Sequence, residues 1–323
     1  MATVLITGGT GLIGKHLTVK LQEKGYSVLY LSRTTEKSSS IKTFEWDYKE
    51  NIIDIDTFND IDYIIHLAGA NIGNKRWTNK RKQLILDSRV KTGQLLFNKI
   101  KEQNKQLKAF ISASAIGYYG TITSEKIFKE TDLPANDFLG KVCSQWEKTA
   151  DKFKELGIRT VKIRTGVVLT EKGGALSKMA IPVKMGIGSA IGTGKQYLPW
   201  IHIDDLCGIY VKAVEDATMN GSFNAVAPEH TTNKDFVKSI ASVLNKPFWF
   251  PNVPAFLIKL VFGEMSSILL KGSRISSDLI ISKGYSFTFP NLKKALINKL
   301  TIMITTNFIT LYIQCSTNAM YLA

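Results

Sequence analysis

Short apolar runs alternate with longer amphipathic stretches along the first half of the chain. Runs such as TVLIT, SVLYLS, DYIIHLAG, KAFISAS and RTVKIRTGVVL have the length of buried strands. In the stretch GLIGKHLTVKLQEKG, Leu12, Ile13, Leu17 and Leu21 recur near helical spacing, and Gly25 stands at the expected helix end. This alternation is typical of βαβ units. We therefore predict an α/β fold, a Rossmann-like doubly wound parallel sheet with a smaller C-terminal substrate lobe.

The pattern changes after about residue 170, where a glycine-rich, loop-like stretch begins and the later run PFWFPNVPAFLIKLVFG carries three prolines among aromatics. We expect a first domain over residues 1–170, with its sheet completed by parts of 196–230. Residues 171–300 would form mainly the smaller lobe and a C-terminal extension, ending in a helix over NLKKALINKL. Residues 301–323 carry no charge and look like an appended tail.

The charge balance suggests a nucleic-acid or acidic-membrane partner only at first sight. The net charge is +15, but 35 lysines against 7 arginines are scattered along the whole length, which favours a solvated surface over a nucleic-acid site. Cys143, Cys207 and Cys315 have no metal-ligand spacing and fit a reducing compartment. No export signal or spanning segment is visible. We expect a cytoplasmic protein without metal, nucleic-acid or membrane partner, and its oligomeric state stays open.

The segment VLITGGTGLIGKHL, residues 4–17, places three glycines at a spacing of three. Gly8, Gly11 and Gly14 follow a β-branched strand and open an amphipathic helix, which is the context of a dinucleotide-binding turn. Such a turn lets backbone amides at a helix start approach a pyrophosphate closely. The alternative is an ordinary strand–helix turn.

The end of the second apolar run bears on which dinucleotide is bound. Ser32, Arg33 and Thr34 stand roughly 20 residues beyond the glycines, where NAD-selective folds place an acidic residue on the ribose hydroxyl. A guanidinium and hydroxyls suit a 2′-phosphate instead, so NADP(H) is favoured. The alternative is that Arg33 is one more exposed cation.

Several motifs in order resemble the short-chain dehydrogenase/reductase superfamily: TGGTGLIG, HLAGA, SASAIGYYG and PWIHIDDL. The segments KRWT, DFLGKVCSQWE and FGEMSSILLKGSR resemble more narrowly the atypical, extended-type epimerase family, related to nucleotide-sugar epimerases. The resemblance runs from about residue 3 to 300. It implies a Rossmann-like domain that binds NADP(H), with substrate held between that domain and a small C-terminal extension.

The resemblance also implies cofactor-binding residues. Those expected at the pyrophosphate are Gly8, Thr10, Gly11, Leu12, Ile13 and Gly14. Ser32 and Arg33 would hold the adenosine end. The remaining cofactor residues would be Leu67 and Ala68 at the end of the HLA strand, Arg89 in the following helix and Val168 beside the nicotinamide.

Catalysis is where the chain departs from the superfamily, which uses a Tyr-x-x-x-Lys pair to move a proton while hydride passes to or from nicotinamide. Phe138 and Val142 occupy those two positions, and phenylalanine cannot transfer a proton. Ser114 matches the active-site serine, and Tyr118 or Tyr119 could act as the acid. The alternative is that both tyrosines pack or stack on the nicotinamide.

Four residues are candidates for substrate binding. Arg76 and Trp77 should lie in a loop facing the cleft, where an arginine beside an indole can grip an anionic or ring-bearing molecule. Lys195 could add a cation, and His202 is the one histidine in a family motif on the substrate side. Surface solvation is the alternative for Arg76 and Lys195, and a hydrogen bond to Asp204 or backbone is the alternative for His202.

Two functions follow from these residues. The first is an NADP(H)-binding oxidoreductase or nucleotide-sugar-epimerase-like enzyme that acts on an unidentified small molecule, with anionic and nucleotide-linked compounds left open. The second is a catalytically silent, NADP(H)-bound regulatory or scaffold protein. The missing Tyr-x-x-x-Lys pair favours the second, whereas Ser114, Tyr118 and KRWT favour the first.

Overall fold

The computed structural model describes residues 1–34 and 41–300, and its centre is a large twisted sheet. The strands of the described residues are β1 Thr3–Thr7, β2 Ser27–Ser32, β3 Thr43–Asp47, β4 Ile52–Ile53, β5 Tyr63–His66, β6 Ala109–Ala115, β7 Ile127–Phe128, β8 Thr160–Thr165, β9 Val167–Leu169, β10 Trp200–His202, β11 Gly221–Ala225 and β12 Arg274–Ile275.

Eight of these strands form the main sheet in the order β11-β8-β6-β5-β1-β2-β3-β4. All neighbours pair in parallel except β3 and β4. The chain order reverses at β1, between β5 and β2, so a crevice opens there at the carboxyl ends of the strands. The prediction of a Rossmann-like, doubly wound parallel sheet is confirmed. The strand β11 lies within the range 196–230 that was expected to complete it.

Helices cover both faces of the sheet and build the C-terminal lobe. Their bounds are α1 Leu12–Glu23, α2 Asn79–Glu102, α3 Phe138–Asp151, α4 Gly174–Lys184, α5 Ile203–Glu215, α6 Asn233–Val243, α7 Ala255–Phe262, α8 Ser267–Leu270 and α9 Asp278–Ser282. Residues 292–300 are helical as well, which confirms the predicted terminal helix. Side-chain oxygens of Thr78, Asp137 and Thr232 cap the starts of α2, α3 and α6.

The alternating side chains of β1 show why its sequence is apolar throughout. Val4 and Ile6 pack into the cluster formed with α1 and α5, while Leu5 packs on the other face with α2 and residues around Phe153. A parallel strand covered by helices on both faces needs apolar side chains at every position. The continuous run TVLIT is therefore explained by its central place in the sheet.

A third cluster holds the C-terminal lobe together. The buried faces of α4 and α6 meet the helix 292–300, whose Leu296 and Leu300 are fully buried. Residues 301–323, including Cys315 and the predicted tail, lie outside the described residues. Cys143 and Cys207 are buried free thiols. In the described residues, no helix is both long and apolar enough to cross a membrane, and no group of side chains has the makeup of a metal site.

Candidate cofactor and active site

The glycine turn between β1 and α1 is shaped to bring backbone close to a ligand. Gly8 adopts a φ of +72°, and a Cβ there would lie 3.1 Å from the Ala68 nitrogen, so glycine is required by conformation and by close approach. The Gly11 amide donates to the Gly8 oxygen at 3.0 Å, and the first helical bond runs from Lys15 to Gly11. Helix geometry therefore leaves the amides of the first turn of α1 for a ligand.

Gly11 and Gly14 have different surroundings. A Cβ on Gly14 would lie 2.5 Å from the Gly9 oxygen, so Gly14 lets the turn pack onto the helix. A Cβ on Gly11 would have the Gly8 oxygen, at 3.1 Å, as its one close neighbour, and Gly11 has ordinary extended backbone angles. The space over Gly11 is therefore open in the way that a cradle for a phosphate requires. Thr10 and Leu12 are exposed beside it, and Ile13 packs partly into the core.

Gly9 is a further glycine that the packing of the turn requires, and the spacing of three did not identify it. A Cβ at Gly9 would lie 2.2 Å from the ring of Tyr30, which packs under the turn. The Tyr30 hydroxyl lies 2.7 Å from the Thr18 hydroxyl, so the ring is fixed between β2 and α1. The doubled glycine in TGGTG was the available signal.

Ser32 and Arg33 lie at the carboxyl end of β2, the strand next to β1. Ser32 is half-buried and Arg33 is exposed. The strand pairing places this end at the same edge of the sheet as the glycine turn. An exposed guanidinium at this edge can reach a phosphate on the ribose of a dinucleotide whose pyrophosphate lies on α1.

The end of β5 is locked onto the end of β1. Thr7 accepts a hydrogen bond from the Ala68 amide through its hydroxyl, and that hydroxyl lies 2.7 Å from Nδ1 of the buried His66. The Leu67 amide donates to the Thr7 oxygen at 3.1 Å. Leu67 and Ala68 are therefore held as a half-buried wall beside Gly8, where the sequence placed them.

Arg89 lies beneath this wall rather than on its surface. Its guanidinium donates to the backbone oxygens of Ala70 and Ile85 at 3.1 and 2.9 Å and stacks over the Trp146 ring at 4.9 Å. A Cβ on the exposed Gly69 would lie 3.0 Å from the guanidinium carbon. Arg89 thus supports the loop after β5 and brings positive charge close under it.

A groove of about 490 Å³ lies at the same edge, between the end of β3 and the first turns of α2. Tyr48 and Leu84 supply its apolar walls, Lys49 and Lys80 border it, and Lys91 is paired there with Asp87 at 2.9 Å. No local pattern in the sequence predicts the groove, because α2 and β3 are brought together by the order of the strands in the sheet.

A buried polar network stands at the ends of β6, β8 and β11. Arg164 binds Glu147 with two hydrogen bonds, from Nε at 2.8 Å and from Nη2 at 2.9 Å, and Ser114 donates to the same carboxylate at 2.7 Å. Ser222 donates to its second oxygen at 3.1 Å. Burial alone would lower the pKa of Arg164, but its bonds to Glu147 raise that pKa more, so Arg164 keeps its charge.

Tyr119 and Tyr118 differ sharply in their surroundings. Tyr119 is buried, donates to Asn224 Oδ1 at 2.7 Å and accepts from Arg164 Nη1 at 2.9 Å, and burial raises its pKa to about 12. Tyr118 is half-buried, and the Arg164 guanidinium lies 3.5 Å from its ring centre. Burial raises the Tyr118 pKa as well, while the Arg164 charge opposes that rise. Of the two tyrosines, Tyr118 is the one that a ligand can reach.

Ser114 lies in this network, where sequence reasoning placed an active-site serine, but its hydroxyl is committed to Glu147. Glu147 and Arg164 themselves were missed. The signals were a carboxylate in the marker DFLGKVCSQWE and an arginine inside the otherwise apolar strand β8. Neither signal identifies its partner, because the two residues meet only through the packing of α3 on β8.

Phe138 and Val142 start α3 within an apolar cluster. Phe138 lies 5.0 Å from the ring of Trp77, centre to centre, and Val142 is buried beside them. The extension contributes Phe262 and Met265 to the same cluster. The positions of the superfamily's tyrosine and lysine are therefore closed by apolar packing.

Arg76 and Trp77 are engaged in holding the lobes together. Trp77 is buried in that cluster and donates through its ring nitrogen to the Ile72 oxygen at 2.9 Å. Arg76 donates to the backbone oxygens of Val261 and Leu260, the last turn of α7. Both side chains thus contact other parts of the protein, and Arg76 caps the C-terminal end of α7.

His202 and Lys195 do not form a common substrate-binding site in the structure. Lys195 is exposed in a loop. His202 is fully buried, stacks on Phe289 at 3.7 Å, and accepts a hydrogen bond from the Asp204 amide at 3.2 Å as the N-cap of α5. This geometry matches the alternative interpretation of His202, in which it forms a hydrogen bond with Asp204 and does not contact a substrate.

The buried His202 makes a pH dependence of stability testable. Burial, followed by the nearby Lys299 charge, lowers the His202 pKa from 6.5 to about 4. The unfolded chain takes up this proton below pH 6.5 and the folded protein does not, so stability falls as the pH drops from 6.5 towards 4. We expect about 2 kcal/mol to be lost through His202 between pH 7 and pH 5.

His202→Asn checks this by urea unfolding at the two pH values, because the asparagine oxygen can accept the capping bond in place of Nδ1 and the substitution removes the titration. The variant should be less stable than wild type at pH 7 but should lose about 2 kcal/mol less on going to pH 5. His66, whose pKa burial also lowers to about 4, is present in both proteins and cancels in the comparison. An equal loss in both proteins would show that His202 is not the group that titrates.

Comparison with known proteins connects this geometry to a family. A model of the NAD dependent epimerase/dehydratase family matches residues 4–225, which includes the whole main sheet. A domain of unknown function (DUF1731) matches residues 253–298, the segment that contains α7, α8 and α9. The epimerase family protein YfhF of Bacillus subtilis is 40% identical over 296 residues, which cover 91% of this chain and 96% of that protein.

Solved structures show the same arrangement. The human epimerase family protein SDR39U1, determined with NADPH, superposes with a TM-score of 0.81 at 32% identity and covers 92% of this chain and 98% of that one. A nucleoside-diphosphate sugar epimerase from Corynebacterium glutamicum gives a TM-score of 0.76 at 31% identity and covers 93% of this chain and 58% of that one.

Proposed function

The chain belongs to the NAD dependent epimerase/dehydratase family, and from this premise we propose that it binds NADP(H) and acts as an epimerase-like oxidoreductase on a small molecule. The predicted resemblance to the extended short-chain dehydrogenase/reductases is thereby confirmed. The observation that carries the proposal is the open space over Gly11 at the start of α1, between the β2 end and the β5 wall. The NADPH bound by SDR39U1 supports the choice of phosphorylated cofactor.

Different residues would bind different parts of the dinucleotide. The first-turn amides of α1 would hold the pyrophosphate, Arg33 would bind the 2′-phosphate, and Leu67 and Ala68 would line the ring system. When bound, the nicotinamide would supply the hydride transfer. Val168 is half-buried in β9 and paired with Ile201, which places it beyond the end of β8 at the same edge.

Tyr118 is the group we assign to proton transfer. Arg164, 3.5 Å from its ring centre, opposes the rise in the Tyr118 pKa and favours loss of the phenolic proton. Glu147 holds the guanidinium in place, and Ser114 donates in turn to the Glu147 carboxylate. We propose that the Arg164 charge takes the place of the superfamily's lysine, while burial keeps the Tyr118 pKa above its ordinary value. Phe138 and Val142 fill the tyrosine and lysine positions here.

A dinucleotide titration tests the cofactor part of the proposal. If Arg33 binds the 2′-phosphate, NADPH should bind more tightly than NADH by about 1.5 to 3 kcal/mol, roughly tenfold to a hundredfold. Arg33→Asp should erase or reverse this preference, because a carboxylate repels phosphate and accepts hydrogen bonds from a ribose diol. Fluorescence or calorimetry at fixed salt measures both constants.

Lys24→Asp is the matched control, because it makes the same charge change on an exposed residue after α1, away from the β2 end. That variant should keep the wild-type ratio of the two affinities. Equal affinity of the wild type for NADH and NADPH would remove the Arg33 assignment and leave the glycine turn as the binding element.

Tyr118→Phe separates an enzyme from a silent cofactor-binding protein. We expect kcat to fall by about 100-fold or more with an unchanged Kd for NADPH, because a proton donor acts in the transition state. Turnover would be followed as NADPH oxidation on a panel of ketones and aldehydes and as isomerisation of nucleotide sugars. Tyr119→Phe should instead lower stability, since it leaves the buried Asn224 without its donor.

The second candidate function, a cofactor-bound protein without turnover, is favoured by the apolar packing at Phe138. It predicts NADPH binding with no product from any member of the panel. Wild-type kcat in Tyr118→Phe would instead show an enzyme whose proton transfer lies elsewhere, with Ser114 as the next residue to test.

A further inference from the structure

The helix α7 presents an apolar face that the rest of the described chain leaves uncovered. Of its eight residues, Ile258 is buried, whereas Phe256 and Leu260 are 67% and 71% exposed. Leu257 and Val261 are exposed as well. On a helical wheel these four side chains lie opposite Ile258 and Phe262, the residues that turn towards the protein. The helix therefore rests on the protein by one narrow side.

A second group of exposed apolar side chains lies in the segment that precedes α7. Trp249 is 69% exposed, and Phe250 follows it. The Val253 amide donates to the Ala190 oxygen and the Gly192 amide donates to the Val253 oxygen, both at 2.8 Å.

This short ladder joins the start of α7 to the loop that leaves α4. Ile181 in the last turn of α4 and Met185 and Ile187 in that loop are exposed. We call these exposed residues of 181–187 and 249–261 together the apolar face. Apolar patches of this kind mark interaction sites on otherwise well-packed proteins.

The charge around the apolar face has one sign. Residues 172–203 contain four lysines and no acidic residue, and residues 236–263 contain three lysines and no acidic residue. Glu264, the next acidic residue, is paired with Lys82 at 2.5 Å. The two segments that carry the apolar face therefore bear positive charge that no acidic residue of their own offsets.

We propose that the apolar face docks the protein on the surface of an anionic lipid bilayer. Exposed tryptophan, phenylalanine and leucine mixed with lysine is the composition of interfacial membrane-binding segments, where lysines lie at the headgroups and apolar side chains enter the acyl boundary. Interfaces between proteins are instead depleted in lysine. Two copies meeting through this face would also bring lysines against lysines. This inference revises the expectation, drawn from the sequence, that the chain has no membrane partner.

Vesicle sedimentation of the full chain tests the proposal. The probes are vesicles of phosphatidylcholine alone and vesicles in which one third of the lipid is phosphatidylglycerol. Wild type should sediment with the anionic vesicles, less at high salt, and weakly with the neutral ones. A variant with Trp249→Ser, Phe256→Ser and Leu260→Ser should bind more than about tenfold more weakly. Lys246→Glu with Lys259→Glu should lose about fivefold for each lysine on anionic vesicles.

Matched controls use exposed residues elsewhere. Val19→Ser with Ile52→Ser removes apolar side chains on α1 and the edge strand β4, and Lys24→Glu with Lys101→Glu changes lysines at the ends of α1 and α2. Both controls should sediment like wild type, and all variants should keep the wild-type melting temperature.

Three results would overturn the proposal. The first is no sedimentation of the wild type with anionic vesicles. The second is unchanged binding by the Trp249, Phe256 and Leu260 variant, which would place lipid binding elsewhere in the chain. The third is a wild-type dimer in analytical ultracentrifugation that this variant dissociates, without vesicle binding, which would make the apolar face an interface between copies.

Discussion

Replacing Gly11 with valine is expected to abolish binding of both NADPH and NADH while the protein remains folded. The Gly11 backbone is extended, and an added Cβ would have one close protein neighbour, the Gly8 oxygen. The valine side chain would therefore occupy the space over the first turn of α1, where a pyrophosphate has to approach the amides. We expect the affinity to fall by at least about 100-fold, or about 3 kcal/mol.

Two other glycines provide the controls for this result. Gly14→Val should fail in a different way, by loss of folding, because its Cβ would lie 2.5 Å from the Gly9 oxygen. Gly73→Val should bind dinucleotide normally, since a Cβ there makes an ordinary contact of 3.7 Å with Asn71. Calorimetry gives the affinities and circular dichroism the folded fraction. A folded Gly11→Val protein with wild-type affinity would contradict the proposed cradle.

Replacing Arg164 with methionine should destabilise the protein by about 3 to 5 kcal/mol. The substitution leaves the Glu147 carboxylate buried without its counter-ion, and uncompensated buried charges carry penalties of this size. Ser114 and Ser222 still donate to the carboxylate, but two hydroxyls cannot replace a guanidinium that makes two charge-assisted bonds.

Adding Glu147→Gln to Arg164→Met removes the buried charge and should recover a large part of the lost stability. Urea unfolding of the wild type, both single variants and the double variant gives the coupling energy between the two residues. A loss below about 1 kcal/mol in Arg164→Met would show that water reaches the carboxylate and that the pair behaves like a surface ion pair.

The same variants bear on function through Tyr118. Arg164 contacts the Tyr118 ring as well as Glu147, so Arg164→Met should raise the Tyr118 pKa along with its effect on folding. The cofactor turn lies on β1, two strands away from β6 in the sheet order. NADPH affinity should therefore survive in the folded fraction of Arg164→Met, which separates this variant from Gly11→Val.

The sequence by itself determined the fold class and the position of the glycine turn between β1 and α1. The apolar run of β1, the glycines and the amphipathic α1 lie within about 20 consecutive residues, so their signals are local: strand length, glycine spacing and helical periodicity. The same reasoning placed Ser32 and Arg33 at a strand end and a helix at the end of the extension. Burial on both faces of β1 follows from its unbroken apolar pattern.

The tertiary structure alone decided which polar side chains meet. Ser114, Glu147 and Arg164 lie on β6, α3 and β8. Only the tertiary arrangement of these elements places Ser114 and Arg164 beside the Glu147 carboxylate. Charged residues are usually exposed to solvent. A charged residue can be buried here only because a partner from another element compensates its charge.

The candidate substrate residues illustrate the same limit. Trp77 and His202 were placed in the cleft from their motifs, but packing against Phe138 and Phe289 encloses them. Conversely, the apolar run of α7 suggests a buried helix, yet four of its large side chains are exposed. The hydrophobic pattern of a segment shows which of its faces could be buried. Whether that face is buried depends on the surfaces that the rest of the chain offers to cover it.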